Sequence, residues 1–397
     1  MEKEKVTMLA QDVFPKVVEL RRLIHQHPEL SNKEEKTAAL VAKTLRELGI
    51  DVQENVGGYG VVGLIKGKGP GKTIGLRADM DALPLQEQTG LPYASGTDGV
   101  MHACGHDTHT AILLGAAMIF SRIKDSLNGN IKLIFQPAEE QNPTGGALGM
   151  IEAGVLDNPK VDCMLALHVW PQYRTGTIIS RNGPLMGASD RLYLTVRGSS
   201  AHGSAPQDGV DAIVIASQVI SALQTIVSRN VSPVDSAVVS IGTIRGGVRY
   251  NVIADEVLLE GTVRTILPPT QDKMPKRIES IATHVAQGMG GSCEVKYVRG
   301  YPPLVNDSVV YGSVKQAISD QLGADHFIDV AAPELGGEDF SFFAQKIPST
   351  MLWVGCTPEG IPAEEIAPLH NVKFCPDEAS FLTALEALTA AAEALLR

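Results

Sequence analysis

The sequence contains few cysteines and less positive than negative charge. Its five cysteines, an odd number in 397 residues, argue against a disulfide framework and indicate a reducing compartment. Lysine and arginine total 34 against 45 aspartate and glutamate, which leaves a net charge of −11. Because nucleic acids are bound by clustered basic side chains, this acidic excess argues against nucleic acid as a partner.

Long hydrophobic runs and a targeting signal are also lacking. The segment Met1–Lys5 is charged, and the residues after it are amphipathic without an apolar signal core. The most apolar window, Ala111–Phe120, covers about half of a membrane span. We therefore expect no membrane partner and a cytoplasmic location.

The sequence does contain an alternation of strand-like runs and helical patterns, and its length favours two domains. The alternation predicts an α/β fold, with a mixed sheet covered by helices. Near Gly183 the pattern changes to β-α-β-β-α-β, which is typical of a ferredoxin-like α+β unit. We predict a discontinuous first domain, 1–183 and 298–397, interrupted by an inserted domain, 184–297.

Side chains that bind metals follow the strand-like runs of the first domain. Open α/β sheets place their sites outside the carboxyl ends of the strands. The run Ile131–Phe135 leads into a carboxylate pair, and Val161–Leu167 leads directly into a histidine. Other candidates open the helix predicted near Thr108 or lie in the loop before the last helix. Together the candidates are Cys104, His106, Glu139, Glu140, His168 and His370.

The spacing of these residues suits a metal site. Cys104 and His106 flank one glycine, so a tight turn can aim both at one point, and the neighbouring helix N-terminus favours a thiolate. Glu139 and Glu140 are adjacent, so one can bind a metal while the other accepts a proton from water. The plain alternatives are a buried thiol beside a surface histidine and a solvated acidic turn.

Seven segments, in this order, carry a resemblance to a known family. They are Arg21–Ser31, Leu76–Pro84, Cys104–Asp107, Gln136–Glu140, Leu167–Pro171, Gly337–Phe340 and Leu369–Asn371. The sequence resembles the co-catalytic metallopeptidases that include aminoacylases, hippurate hydrolase and auxin-conjugate amidohydrolases, over nearly the whole chain. The resemblance implies one or two divalent ions, of zinc, manganese, nickel or cobalt. The implied ligands are Cys104 between two ions, Glu140 and His370 on one, and His106 and His168 on the other.

The same resemblance assigns the other roles. It implies that Glu139 is the general base, and Asp79 stays outside the ligand set. The inserted domain is implied to be a lid that also forms a homodimer or a higher homo-oligomer. There, His202 of one protomer is implied to polarise the scissile carbonyl across the dimer, while Asn251 and Arg264 hold a substrate carboxylate. An arginine fork suits a carboxylate, although an ordinary charged residue at a strand end is the alternative for Arg264.

Our hypothesis is a metal-dependent amidohydrolase that splits N-acyl amino acids, its small-molecule substrates, into a carboxylic acid and a free amino acid. Two alternatives stay open, a carboxypeptidase or dipeptidase on the same scaffold and a metal-stabilised binding protein without turnover. We do not expect His25 and His27 to bind metal, because a helical pattern precedes them and a proline follows. For His102 and His109 we expect a plain polar role.

Overall fold

The apolar runs form one eight-stranded and one four-stranded sheet in a computed structural model that describes residues 2–397. The helices of this part of the chain are α1 (Lys3–Gln26), α2 (Glu35–Glu47), α3 (His106–Ile123), α4 (Ala147–Glu152), α5 (Ala212–Arg229), α6 (Pro268–Gly288), α7 (Ser308–Leu322), α8 (Phe340–Ala344) and α9 (Ser380–Leu395). The strands are β1 (Asp51–Gln53), β2 (Val61–Lys66), β3 (Gly69–Asp79), β4 (Asn128–Gln136), β5 (Cys163–Arg174), β6 (Ile178–Ser180), β7 (Gly183–Met186), β8 (Asp190–Arg197), β9 (Ala237–Gly246), β10 (Glu256–Thr265), β11 (Ser292–Val298), β12 (Leu304–Asn306), β13 (Phe327–Asp329) and β14 (Ser349–Thr357).

The chain divides into two compact units. The first holds the residues up to Leu185 together with Val305–Ala332 and Asp339–Arg397, and the second holds Met186–Leu304 and Pro333–Glu338. The predicted inserted domain, 184–297, lies almost wholly in the second unit. The second unit also contains residues 298–304 and the short segment Pro333–Glu338, both of which we predicted to belong to the first domain.

The first unit is built on the eight-stranded sheet, whose strand order is β1-β2-β4-β3-β5-β14-β6-β13. The central strands β4, β3, β5 and β14 are parallel. The pairs β1–β2, β2–β4 and β14–β6 are antiparallel. A mixed sheet with helices packed against it confirms the predicted α/β fold class of this unit.

Helix α3 lies deep inside the first unit. Nearly all of its residues are buried, because α1 and α9 pack beside it and β3, β4 and β5 contact it. Helix α1 contributes Ala10, Val13, Val17 and Leu20 to the same core at the spacing of one helical face. The consequence for the site is direct: the first turn of α3 and the residues before it are shielded from water.

The second unit contains the four-stranded sheet in the order β11-β8-β10-β9, with every neighbouring pair antiparallel. Along the chain its elements follow the order β8-α5-β9-β10-α6-β11. On β8 the side chains of Leu192, Leu194 and Val196 alternate into a core shared with α5 and α6. Strand β9 is at one end of the sheet, so one of its edges has no strand beside it among the described residues.

One described helix, α5, is long and apolar enough to pass a length-and-composition test for a membrane span. The sequence predicts a long apolar helix at about Gly209–Val227, close to the observed bounds. Its residues Ile215, Val219, Leu223 and Ile226 are buried in the core of the second unit. Its exposed face carries mostly serine, glutamine and threonine. These buried residues of α5 serve its packing on the four-stranded sheet, whereas Ile213 and Val214 near its start are exposed.

Candidate metal centre

Cys104 and His106 are held by a tight turn immediately before α3. Gly105 between them has a φ of +89°, and a Cβ there would lie 2.4 Å from Cγ2 of Val169. Only glycine meets both demands without strain. His370 also has a positive φ, +62°, and its backbone N–H donates to the carbonyl of Ala103 at 2.8 Å. This hydrogen bond holds the loop before α9 next to Cys104.

Three predicted residues surround the Cys104 thiol. Its Sγ lies 3.4 Å from Nε2 of His168 and 3.3 Å from Nε2 of His370. The same nitrogen of His370 is 3.1 Å from Oε1 of Glu140. Cys104 and His168 are buried, whereas the His370 side chain is 53% exposed. The centre therefore has a buried side and one that is open to solvent.

His168 is not at the end of its strand, as the sequence pattern suggests, but inside it. Strand β5 continues to Arg174, so His168 reaches the centre from the sheet itself. Its Nδ1 donates to the carbonyl of Val169 at 2.7 Å, because a carbonyl oxygen can only accept. The proton is thereby placed on Nδ1, and Nε2 presents a lone pair towards Cys104.

Asp81, which the sequence analysis missed, organises the opposite side of the centre. Its Oδ1 lies 3.1 Å from Nδ1 of His106 and accepts the backbone N–H of Glu139 at 3.1 Å. Its Oδ2 accepts the N–H of Glu140 at 3.0 Å and the hydroxyl of Ser31 at 2.7 Å. One carboxylate thus orients a histidine and both neighbouring glutamates. Its place just beyond buried strand β3, two residues after another aspartate, is a signal that sequence reasoning had available.

Asp79 and His109 form a second acid–histidine pair. Nδ1 of His109 is 2.6 Å from Oδ1 of Asp79, and its Nε2 accepts the backbone N–H of Val169 at 2.9 Å. Both nitrogens of His109 are therefore used by the protein. Arg77 donates to Oδ2 of Asp79 at 2.6 Å and helps hold the pKa of that carboxyl well below its usual range, against the effect of burial. The Asp79–His109 pair thereby holds β5 in position next to His168.

His106 differs from His109 in one respect that matters for metal binding. With Nδ1 on Asp81, its buried Nε2 has no hydrogen-bond partner among residues 2–397. That nitrogen is 3.8 Å from Oδ2 of Asp79 and 4.0 Å from Oε2 of Glu139. A buried nitrogen that faces two carboxylates at these distances leaves room for a positive ion between them.

The electrostatics of the centre also suit cations. Burial and the negative charges of Glu140 and Glu139 raise the pKa of the Cys104 thiol well above its usual range. Burial would lower the pKa of His106, but Asp79 and Asp81 raise it to about 10. The N-terminus of α3 favours a thiolate at Cys104, whereas these acidic neighbours oppose one. A bound cation would favour the thiolate in this acidic pocket.

Two ligand groups meet at the cysteine. Cys104, His106 and His168 form one set, and Cys104, Glu140 and His370 form another, with ligand atoms within 4.8 Å of one another in each. A sulfur shared by two such sets suits a pair of divalent ions, since thiolate, imidazole and carboxylate all bind first-row metals. Four separate segments of the chain supply these residues together with Glu139: 104–106, 139–140, 168 and 370.

Comparison with known proteins identifies the scaffold. The model of peptidase family M20/M25/M40 matches residues 75–394. The chain belongs to this family. It is 42% identical to thermostable carboxypeptidase 1 of Saccharolobus solfataricus over 94% of each chain. It is 41% identical to the N-acetyl-L-cysteine deacetylase of Bacillus subtilis over 96% of this chain and 88% of that protein.

A solved structure of the M20 family agrees with this fold. The crystal structure of the Bacillus subtilis YXEP protein, described as a dinuclear metal-binding peptidase from the M20 family, superposes with a TM-score of 0.84. The sequence identity is 35%, and the match covers 97% of this chain and 99% of that one. This M20 protein is therefore an enzyme of a metal-binding hydrolase family, not a binding protein without turnover.

The three site residues predicted in the inserted domain lie in the second unit. His202 is exposed, and its Nδ1 is 2.7 Å from the hydroxyl of Ser204. Its backbone forms an isolated antiparallel β-bridge with Val252. The carbonyl of Asn251 accepts the N–H of Gly203, so His202 and Asn251 lie on neighbouring segments. Arg264 lies on β10 and is half-buried. Burial lowers its pKa against the opposing effect of Asp190.

His25 does not behave as a ligand. It is buried near the end of α1, where its Nδ1 is 2.8 Å from Oδ2 of Asp107 and its Nε2 is 3.3 Å from Oε1 of Glu87. Arg21 also contacts Asp107, at 2.9 Å. Both nitrogens of His25 therefore lie beside carboxylates of this buried ionic cluster.

Proposed function

We propose that this M20 enzyme hydrolyses the amide bond of N-acyl amino acids and releases a carboxylic acid and a free amino acid. The observation that carries the proposal is the division of roles between two adjacent glutamates. Glu140 belongs to the ligand group with Cys104 and His370, whereas Glu139 groups with Glu140 and His106 but with neither set that contains the cysteine. The similarity to an N-acetyl-L-cysteine deacetylase supports the choice of an acylated amino acid.

In this proposal the centre holds one or two divalent ions of zinc, manganese, nickel or cobalt. Cys104 is shared, with Glu140 and His370 on one ion and His106 and His168 on the other. The fit rests on the unpartnered Nε2 of His106 and on the acidic surroundings that raise the pKa of Cys104. When bound, such ions activate water and polarise a carbonyl oxygen.

Glu139 is the proposed general base. One of its oxygens accepts the backbone N–H of Asp339 at 3.4 Å, and its own N–H is held by Asp81. These contacts fix the carboxylate beside the ligand groups. It takes a proton from the attacking water as the new carbon–oxygen bond forms. It then passes that proton to the leaving nitrogen as the carbon–nitrogen bond breaks.

We further propose that the second unit is a ferredoxin-like lid and dimerisation domain, with 184–297 as its segment and 1–183 and 298–397 as the catalytic domain. Its β-α-β-β-α-β order supports this assignment. At the free edge of β9 and just beyond, Ile244, Val248 and Tyr250 are 56%, 87% and 93% exposed, which favours a homodimer in a cytoplasmic protein. His202 then stabilises the developing oxyanion across the dimer, and Asn251 and Arg264 bind the substrate carboxylate.

A second candidate function is peptide hydrolysis from the carboxyl end. The identity of 42% with a thermostable carboxypeptidase favours it, and the two reactions differ only in the acyl group. A carboxypeptidase would bind the same substrate carboxylate.

The test is a substrate panel with the purified full chain, loaded separately with zinc, manganese, nickel or cobalt. N-acetyl, N-benzoyl and long-chain acyl amino acids are compared with N-blocked dipeptides that have the same carboxyl-terminal residue. We expect metal-dependent hydrolysis, with acyl amino acids cleaved faster than the peptides. Faster peptide cleavage would favour the carboxypeptidase, and turnover that is insensitive to a chelator would contradict the proposed mechanism.

A further inference from the structure

A buried carboxylate far from the ligand groups in sequence contacts the segment that carries the proposed base. Glu34 lies directly before α2 and is fully buried. Its Oε1 accepts the backbone N–H of Ala138 at 2.8 Å, across 104 positions of the chain. The same oxygen accepts the N–H of Asn32 at 2.9 Å. The proposed mechanism assigns no role to Glu34.

The backbone that Glu34 contacts is in an unfavourable conformation. Ala138 has a φ of +56°, in the left-handed region that penalises residues with a Cβ. Ala138 directly precedes Glu139 and Glu140. Its conformation therefore sets the direction in which the chain leaves β4 and the directions of the two glutamate side chains.

Three consecutive N–H groups of this turn are bound by two buried carboxylates. Ala138 donates to Glu34, and Glu139 and Glu140 donate to the two oxygens of Asp81. Asp81 also orients His106, so a change there disturbs several groups at once. Glu34 contacts the turn without contacting a proposed ligand, and it is the cleaner position to test.

We propose that Glu34 is a positioning residue, whose carboxylate oxygen stabilises Ala138 in the left-handed conformation and thereby aims Glu139 at the reaction centre. The role in turnover rests on the proposed function, whereas the effect on the backbone does not. This role requires a hydrogen-bond acceptor at residue 34 that reaches the N–H of Ala138, as Oε1 of Glu34 does at 2.8 Å. The other oxygen, Oε2, is buried without a hydrogen-bond partner in the described part of the chain.

Two conservative variants distinguish the effect of side-chain length at residue 34 from the effect of its charge. Glu34→Gln keeps the side-chain length and one acceptor oxygen but removes the charge. Glu34→Asp keeps the charge but is one methylene shorter, so its oxygens withdraw from the N–H of Ala138. We expect the Gln variant to keep kcat within about threefold and the Asp variant to lose about 10- to 100-fold in kcat, with KM nearly unchanged.

Glu29 provides the matched control. Its carboxylate accepts the N–H groups of Lys36 and Thr37 at the start of α2 at 3.1 and 2.9 Å and, within residues 2–397, makes no hydrogen bond to the turn at 138–140. We expect Glu29→Asp to lower thermal stability without lowering kcat. If it lowers kcat as much as Glu34→Asp does, the effect is a general disturbance of α2 and the proposal is wrong.

Hydrogen–deuterium exchange of the segment 136–141 gives a readout that does not depend on activity. We expect faster exchange of this segment in Glu34→Asp than in the wild type or in Glu34→Gln. Unchanged exchange in Glu34→Asp, or equal defects in both Glu34 variants, would overturn the proposal. A wild type without amidohydrolase activity would refute the proposed function and leave the exchange result to decide the role of Glu34 in the turn.

Discussion

The predicted site residues of the first unit are tied to other protein groups, whereas those of the second unit have few partners. In the first unit, His168 is bound to a backbone carbonyl, and Glu139 has contacts at its backbone and its side chain. In the second unit, His202 is exposed, and the side-chain oxygen of Asn251 is buried without a partner among residues 2–397. The first set is therefore held in fixed orientations by the protein, whereas the side chain of His202 in the second set is accessible to solvent.

A similar contrast occurs within α3. His106 and His109 lie one turn apart, and each has Nδ1 beside an aspartate. The Nε2 of His109 is occupied by the N–H of Val169, whereas that of His106 is unpartnered in the described residues. The occupied nitrogen identifies a structural histidine and the unpartnered one identifies a candidate ligand, although the two have the same residue type and similar burial.

Metal removal is expected to have the largest effect and tests the preorganised side of the comparison. Without cations, no positive ion balances the carboxylates of Asp79, Glu139 and Glu140 around Cys104. A chelator should abolish hydrolysis and lower Tm, and reloading should restore both. A ligand at a hundredfold excess over its Kd stabilises the folded state by about 2.7 kcal/mol. An apoprotein with unchanged activity and Tm would contradict the assignment of the centre.

Replacement of the proposed base comes next. Glu139→Gln should lower kcat by about 10²- to 10⁴-fold, because proton transfer is lost, while the metal content stays at the wild-type value. Metal analysis and steady-state kinetics check both parts. Glu140→Gln is the matched control, and it should lower the metal content. Full activity of the Glu139 variant would refute its role.

The exposed histidine tests the second side of the comparison. His202→Ala should lower kcat by about 10²- to 10³-fold through loss of oxyanion stabilisation, with metal content and Tm unchanged because the side chain is exposed. If His202 acts across a dimer, mixing subunits of this variant with subunits of Glu139→Gln should restore part of the activity. No recovery in proven mixed dimers would place the histidine in its own protomer.

The smallest expected effect concerns substrate recognition. Arg264→Lys should raise KM for acyl amino acids by about tenfold with little change in kcat. The substitution replaces a two-hydrogen-bond contact to the carboxylate by a single hydrogen bond, and the lost hydrogen bond is worth about 1.5 kcal/mol. The control substrate has its carboxylate converted to an amide and should be affected less. Equal effects on both substrates would show that Arg264 does not bind the carboxylate.

Several elements of the fold were predictable because their periodicity is long and clear. Helix α3 begins close to its predicted start near Thr108, and the six elements of the second unit follow the predicted order. Strands β1, β6, β12 and β13 have three residues each and were missed, because so short a run has no measurable alternation. The end of β5 was also misjudged, since Pro171 follows His168 closely and suggests a break.

The residue types and the order of motifs determined, from sequence alone, that the chain has a candidate metal centre of cysteine, histidine and glutamate and belongs to a hydrolase scaffold. Only the tertiary structure decided which histidine nitrogen is available and which carboxylates support the base. Glu34, Asp81 and Val169 come from segments far apart in the chain, and their hydrogen bonds depend on distances of about 3 Å that local sequence does not encode. The chemistry of the site therefore follows from composition and spacing, whereas its orientation follows from the packing of strands and loops.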